Sequence, residues 1–347
     1  MLRIASFLVA LAAVSAAVLP PALAAGSRIA FVGQPFTTTI NQLGETECTY
    51  GSKGVFSVDP GGDHAHRVTT SPGDALYVPT WSLDKSHLAF VAGDGPMTLY
   101  VVVANGSHLH AVAQLPSIQT LTGPTWSPNS QWLSFSGQKG GTQDVWVVKR
   151  DGSHLHRLTH DRVVDIAPSW APDGKHVLFS RHSPSTGLYE VSRTGIGLHI
   201  VVRHQDAGPS EWSAAANDIM FLGGSPKGHD IFMVRPDGSH LRRVSDFGDV
   251  PENGIDLSPD GRWVAFLRSR ESGSKLYTVK VDGSHLKLLQ KGGFPYGPTW
   301  SPDSRWIAYQ SVVKGPCAPG LKKINRAGTR DKRISPGLYV VGAPTWR

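Results

Sequence analysis

The chain has 347 residues, 18% charged and 40% hydrophobic, with a net charge of +7 and two cysteines. That length can bury an ample core, and two cysteines exclude a thiolate metal cluster. The positive balance suits an acidic partner, but no nucleic-acid-binding motif accompanies it, and nucleic acid is not expected.

Arg3 supplies a positive n-region, residues 4–18 an apolar h-region, and Ala22-Leu23-Ala24 an A-x-A cleavage site. Residues 1–24 therefore read as a cleaved signal peptide, and 25–347 as a single domain exported to the periplasm or secreted. The apolar run is too short to span a bilayer and Pro20-Pro21 breaks it, so no integral membrane segment is expected after cleavage. The first cysteine is Cys48, too late for a lipid anchor at the cleavage site.

From there one phrase recurs. Its best copy, at 124–159, reads PTWSPNSQWLSFSG and then VWVVKRDGSHLHRLT. The anchor is Trp81, Trp126, Trp170, Trp212, Leu257, Trp300 and Trp346, at spacings of 45, 44, 42, 45, 43 and 46. A period in the low forties holding several short strands marks a β-propeller. Each unit gives four strands: the short Pro-x-Trp segment, then runs such as Trp263-Val264-Ala265-Phe266, Leu276-Tyr277-Thr278-Val279 and Arg157-Leu158-Thr159. Ser-Pro-Asp-Gly (258–261) is turn chemistry between the first two, and Asp-Gly at 151, 237 and 282 marks a hairpin between the last two.

The ends fit the same scheme. The chain enters on a second-strand pattern, Arg28-Ile29-Ala30-Phe31, and finishes on Pro344-Thr345-Trp346. The C-terminal strand should therefore complete the N-terminal blade, removing exposed sheet edges. Seven four-stranded antiparallel blades follow, six being the alternative if the first or last unit pairs differently.

Pro-x-Trp-Ser-Pro-Asp-Gly with Ile-Ala-Phe-like, Leu-Tyr-like and Asp-Gly-x-x-x-x-x-Leu-Thr-like runs resembles the TolB-type (WD40-like) propeller repeat over about 28–347. The Trp-Asp and Gly-His signatures of true WD repeats are absent. The resemblance implies a periplasmic or secreted interaction module.

Four of the fifteen histidines, His108, His154, His240 and His285, belong to Gly-Ser-His-Leu turns beside the outermost strand. Lying roughly 14 Å out from the innermost strand, they cannot converge on a zinc, whose bonds are about 2 Å. Turn or surface packing is expected of them. The turns after the first and third strands are short and repetitive, so their face reads as structural. Loops after the second and fourth strands vary, and partner binding is expected there. The candidates are Tyr77, Gln119, Arg162, Asp165, Asp206, Asp249, Glu252 and Tyr296, with Gln205, Asn253 and Phe294 beside them.

The residue before each anchor runs Thr80, Thr125, Ser169, Glu211, Asp256, Thr299, Thr345. Glu211 and Asp256 stand on neighbouring blades near the channel. They could hold a hard cation or work as acid and base; the plain reading is that they accept hydrogen bonds from neighbouring amides. No Gly-x-Ser-x-Gly, His-Glu-x-x-His or Cys-x-x-Cys motif is present.

The leading expectation is a monomeric, non-catalytic propeller without a cofactor that binds an envelope or secreted protein, or an anionic envelope polymer. The alternative is a metal-dependent polysaccharide lyase or hydrolase with a channel-mouth site drawn from His160, Asp165, His204 and Asp206. Lys314, Lys322, Lys323, Arg326, Arg330, Lys332 and Arg333 crowd the last repeat against Asp331, as a patch for an acidic polymer or a membrane surface, or as a solvated outer strand. Cys48 and Cys317 fall in equivalent insertions of the first and last blades, near 34–53 and 312–319. Ring closure makes those blades neighbours, so a disulfide is expected.

Overall fold

The computed structural model describes residues 26–43, 45–70, 72–73, 75–118, 123–138, 140–182, 184–213, 217–251, 254–270, 273–290, 294–312, 319–335 and 337–347. Residues 1–24, read above as a signal peptide, and Gln119, Glu252, Asn253, Lys314 and Cys317 lie outside them.

Runs such as Leu88-Ala89-Phe90-Val91-Ala92 are apolar at every position. Successive strand residues point to opposite faces, so an unbroken apolar run belongs to a strand buried on both sides. Leu88, Phe90 and Ala92 pack toward one neighbouring sheet, and Ala89 and Val91 toward the other. The same logic repeats around a ring of seven antiparallel sheets. Among the described residues, seven apolar clusters lie one in each gap between blades. The core is therefore a set of radial seams.

Within a blade the chain runs outward. Blade 4 shows the pattern: inner strand Asp165–Trp170, second His176–Arg181, third Gly187–Ser192 and outer His199–Arg203. The inner strand is longer than the Pro-x-Trp phrase suggests, and a β-bulge between Ile166 and Ser169 turns it toward the channel. Second-strand aromatics stack on third-strand aromatics across the register: Phe31 on Phe56, Phe90 on Tyr100, Phe179 on Tyr189, Phe221 on Phe232 and Phe266 on Tyr277, at centroid distances of 5.5 to 6.1 Å. Blade 7 breaks the ladder. Tyr309 lies opposite Lys322, and its hydroxyl donates to Asp331 at 2.9 Å.

Closure is as expected. Thr345–Trp346 and Leu338–Val340 both pair with Ile29–Ile40, the second strand of blade 1. Arg28 and Arg347 exchange backbone hydrogen bonds at 2.7 and 3.1 Å, and the Trp346 indole N–H donates to the Ser27 hydroxyl at 2.7 Å. The ring has seven blades. The insertion in blade 1 is an outward hairpin in which Phe36 to Ile40 pairs with Thr46–Tyr50.

Hairpins between third and outer strands share one construction. Asn105, Asp151, Asp237 and Asp282 each accept the backbone N–H of the serine two residues on, at 2.8 to 2.9 Å. Gly152 takes φ of 84° here, as Asp-Gly implies, but the left-handed region extends to the histidine as well, with His154 at 57°. The hairpins of blades 2, 3, 4, 6 and 7 then bond to a first–second turn of their own blade, as Arg150 N–H does to Gln131 O at 2.9 Å. Both kinds of repetitive turn therefore share one face of the ring.

Candidate functional site

The inner strands surround a channel, and in blades 2 to 6 the residue before the anchor joins its blade to the next. Thr80 Oγ1 donates to the Pro124 carbonyl at 3.0 Å, and Thr125 Oγ1 to the Pro168 carbonyl at 3.1 Å. The anchor tryptophans reach back. The Trp126 indole donates to Thr80 O, and Trp170 to Thr125 O, both at 3.1 Å. At Glu211 and Asp256 the polarity reverses. Glu211 Oε2 accepts the Leu257 N–H at 3.0 Å, and Asp256 Oδ2 accepts the Trp300 N–H at 2.6 Å.

The channel widens to a cavity at each mouth. On the turn face about 350 Å³ is lined by Leu83, Glu211, Trp212, Asp256, Thr345 and Arg347 among others. On the loop face about 280 Å³ is lined by residues including Thr80, Ala167, Glu211, Asp256, Tyr296 and Pro298. Glu211 and Asp256 border both cavities and so stand at the waist. Burial raises the Glu211 carboxyl above its ordinary value, with the Leu257 amide and Arg347 opposing. Burial and then the neighbouring Glu211 push Asp256 well above its own, with the Trp300 amide, Arg347 and the Thr299 hydroxyl opposing. A calcium ion takes six to eight oxygens, of which two carboxylates supply only part. The arrangement accounts for the pair as amide acceptors.

The loop-face candidates divide. Tyr77, Arg162, Asp206 and Phe294 are exposed, and Tyr296 is half-buried at the channel mouth. Gln205 donates to Asp206 at 3.4 Å. Two do not lie open to a partner. Asp165 is fully buried and grips Arg181 with both oxygens at 2.8 Å. Asp249 grips Arg268 at 2.7 and 3.1 Å, and that guanidinium lies 4.0 Å over the Phe247 ring. Asp165 opens the blade 4 inner strand and Asp249 lies on an inter-blade loop, and each is fastened to a second-strand arginine, which corrects their reading as partner-binding residues.

The lyase set is not assembled. His204 packs against Phe232 and Phe221 at centroid distances of 4.3 and 5.3 Å, Asp165 is engaged by Arg181, and His160 is exposed. Among the described residues no three His, Cys, Asp or Glu side chains are arranged to hold a metal ion. The Gly-Ser-His-Leu histidines sit at the turns, with His154 and His285 edge-on to Trp132 and Trp263. Much of the basic cluster in the last blade is engaged in packing. Lys322 pairs with Asp331 at 2.8 Å, Lys323 lies 4.6 Å over Trp306, Arg326 lies 4.8 Å over Trp263, and Lys332 donates to Gly61 O at 2.9 Å. Arg330 and Arg333 remain exposed. Cys48 lies on the blade 1 hairpin, opposite Thr38.

Sequence reasoning missed Arg347, the cation across the channel mouth from the acid pair. Its position immediately after the last anchor was the available signal.

The TolB beta propeller domain family matches residues 27–295. A TolB homolog of Chlorobium luteolum is 27% identical over 146 residues, 40% of this chain and 31% of that protein. An uncharacterized protein of Agrobacterium fabrum is 35% identical over 216 residues, 57% of this chain and 68% of that protein. The match thus spans less than a third of the length of the curated TolB homologs. Among solved structures, TolB from Acinetobacter baumannii superposes with a TM-score of 0.61 at 14% identity, covering 92% of this chain and 66% of that one. An oligogalacturonate lyase in complex with manganese gives 0.59 at 13% identity, covering 86% and 84%. At such identities these likenesses show the fold alone. With the family matching over three-quarters of the chain and the seven-bladed ring in place, this chain belongs to the TolB beta-propeller domain family.

Proposed function

We propose that the chain is an exported, monomeric, non-catalytic propeller that binds a protein segment or an anionic envelope polymer through its loop face. The observation that carries this reading is the loop-face cavity of about 280 Å³, with Tyr296 at its mouth. Tyr77, Arg162 and Asp206 stand exposed on loops of the same face. Aromatic and charged side chains around a concave mouth on a rigid scaffold are what partner recognition uses. Family membership and the signal-peptide pattern support an envelope setting.

The rival is a metal-dependent polysaccharide lyase or hydrolase, favoured by the fold shared with oligogalacturonate lyase. It needs acids and histidines to converge, and Asp165 and His204 are engaged elsewhere. A pull-down from envelope extract compares the parent with a Tyr77→Ala/Tyr296→Ala variant. The partner should be lost from the variant while the melting temperature holds. Retention of the partner by the variant refutes the loop-face reading. A stoichiometric metal together with cleavage of a uronide polymer would establish the lyase.

A further inference from the structure

The repetitive-turn face carries a pattern that the loop-face reading leaves unused. At the hairpin tips of blades 2 to 6 stand Leu109, Leu155, Leu198, Leu241 and Leu286, each 38 to 46% exposed, with Ile196 at 73% beside Leu198. Immediately before the leucine in blades 2, 3, 5 and 6 is a histidine in the left-handed region: His108 at φ 54°, His154 at 57°, His240 at 58° and His285 at 58°. His64, at 50°, holds the same place in blade 1. Blade 4 has Gly197 there, at 75°.

Glycine thus meets the backbone requirement without strain, and an L side chain enters that region only at a cost. The backbone does not select histidine, so the imidazole itself has a use. In blades 2, 3, 5 and 6 its Nδ1 lies 2.8 to 3.0 Å from the hydroxyl of the preceding serine. The hairpin aspartates Asp151, Asp237 and Asp282 turn back onto their own serine N–H groups. The turns of this face carry exposed cations, Lys85, Lys175, Arg235, Arg262, Lys287 and Arg305, while the exposed Asp84, Asp173 and Asp303 beside them each accept the backbone N–H two residues on.

We infer that this rim docks on an anionic phospholipid surface. Separate exposed leucines at equivalent hairpin positions insert into a bilayer interface anywhere on its plane. Amphipathic side chains sit at headgroup depth, and lysine and arginine meet the phosphates. A soluble acidic polymer would use the cations but offers nothing to the leucines. A protein partner would call for a contiguous patch, and these tips are one per blade. Docked this way, the ring turns its loop face away from the membrane, toward the partner proposed above.

Vesicle co-sedimentation tests the inference, using phosphatidylcholine with and without phosphatidylglycerol. The parent should bind the phosphatidylglycerol vesicles, and added salt should weaken binding. Leu155→Ser/Leu241→Ser/Leu286→Ser should lose about tenfold or more in partition at unchanged melting temperature. His108→Gly/His240→Gly separates function from structure: relief of backbone strain should raise the melting temperature while vesicle binding falls. Failure of the parent to bind either vesicle overturns the inference, as does a leucine variant that binds like the parent. Binding to soluble polyglutamate that ignores the leucines would instead make the face a polymer site. Partner capture through Tyr77 and Tyr296 should survive both variants, so the two readings fail independently.

Discussion

Blades 2 and 3 join their neighbours by donating a hydrogen from a threonine hydroxyl; blades 5 and 6 do it by accepting one on a carboxylate. The difference follows from what each neighbour offers. Where the next anchor is tryptophan with a threonine behind it, hydroxyl and indole cross-bond to two carbonyls, as Thr125 and Trp170 do. Where the next anchor is Leu257 there is no indole, and Glu211 holds the leucine's backbone N–H directly. Asp256 combines both modes, because Trp300 gives it a backbone N–H and an indole bond to its carbonyl at 3.0 Å. The neutral joint is indifferent to pH. The acidic one places two carboxyls at the channel waist, where burial disfavours their charge.

The largest expected effect concerns the one joint where the two chain ends meet. We propose that Cys48 and Cys317 close it covalently. Such a bond would enclose a loop of about 270 residues, for which the chain-entropy model gives up to about 5 kcal/mol. Cys48→Ser should lower stability toward that limit. Thiol titration of the unfolded, unreduced chain should find none free; two reactive thiols per chain would end the proposal.

Next comes the indole. Trp170→Ala removes a buried aromatic together with its indole bond to the Thr125 carbonyl, and should cost about 3–5 kcal/mol in denaturant unfolding. Trp170→Leu imports the blade 6 anchor without a glutamate behind it. It should remain clearly destabilising, although leucine serves at 257. If Trp170→Leu is neutral, the indole bond is not what distinguishes the two joints.

Exchanging the modes the other way gives a smaller effect. Glu211→Thr restores the hydroxyl of the neutral joints but leaves the Leu257 N–H without its acceptor, for about 1–3 kcal/mol. Glu211→Gln keeps an acceptor and should do much less harm. Equal losses in the two variants would mean that packing, not the hydrogen bond, sets the joint.

The ring was legible because its causes are local and repeated. Trp spacing, Ser-Pro-Asp-Gly turns and Asp-Gly hairpins each state one piece of geometry, and the Arg28-Ile29-Ala30-Phe31 entry implied closure by Trp346. Asp165 and Asp249 were misplaced because their partners Arg181 and Arg268 lie on the adjacent strand, 16 and 19 residues on. A charged loop residue bound by a cross-strand arginine looks, in sequence, like a free one. The left-handed histidines were hidden for another reason: Asp-Gly announces a positive φ at glycine, and nothing in the composition says that it continues to His154. Glu211 and Asp256 stood out because they interrupt a column of hydroxyls, which only a repeat makes visible.

The smallest effect probes that interruption through pH. Both carboxyls are raised, so the folded state holds these protons more tightly than the unfolded chain does. Their contribution is therefore fully present below the ordinary carboxyl range, about pH 4, and is lost as pH rises through the folded-state values. Glu211→Gln/Asp256→Asn keeps an acceptor for each amide and cannot ionise, so it should not share that loss. The comparison is the difference in melting temperature, variant minus parent, across pH, which cancels the carboxylates common to both. That difference should be positive near neutrality and shrink toward zero as the solution is acidified. Arg347 works against the effect, since its cation favours both charged forms, so adding Arg347→Gln to the parent should steepen the parent's decline with pH. The hydroxyl joint supplies the control: Thr125→Val, which breaks the bond to Pro168 O, should shift the melting temperature by the same amount at every pH. A variant-minus-parent difference that stays flat with pH would mean that the waist pair ionises as freely as carboxyls in water, and the two kinds of joint would then differ in geometry alone.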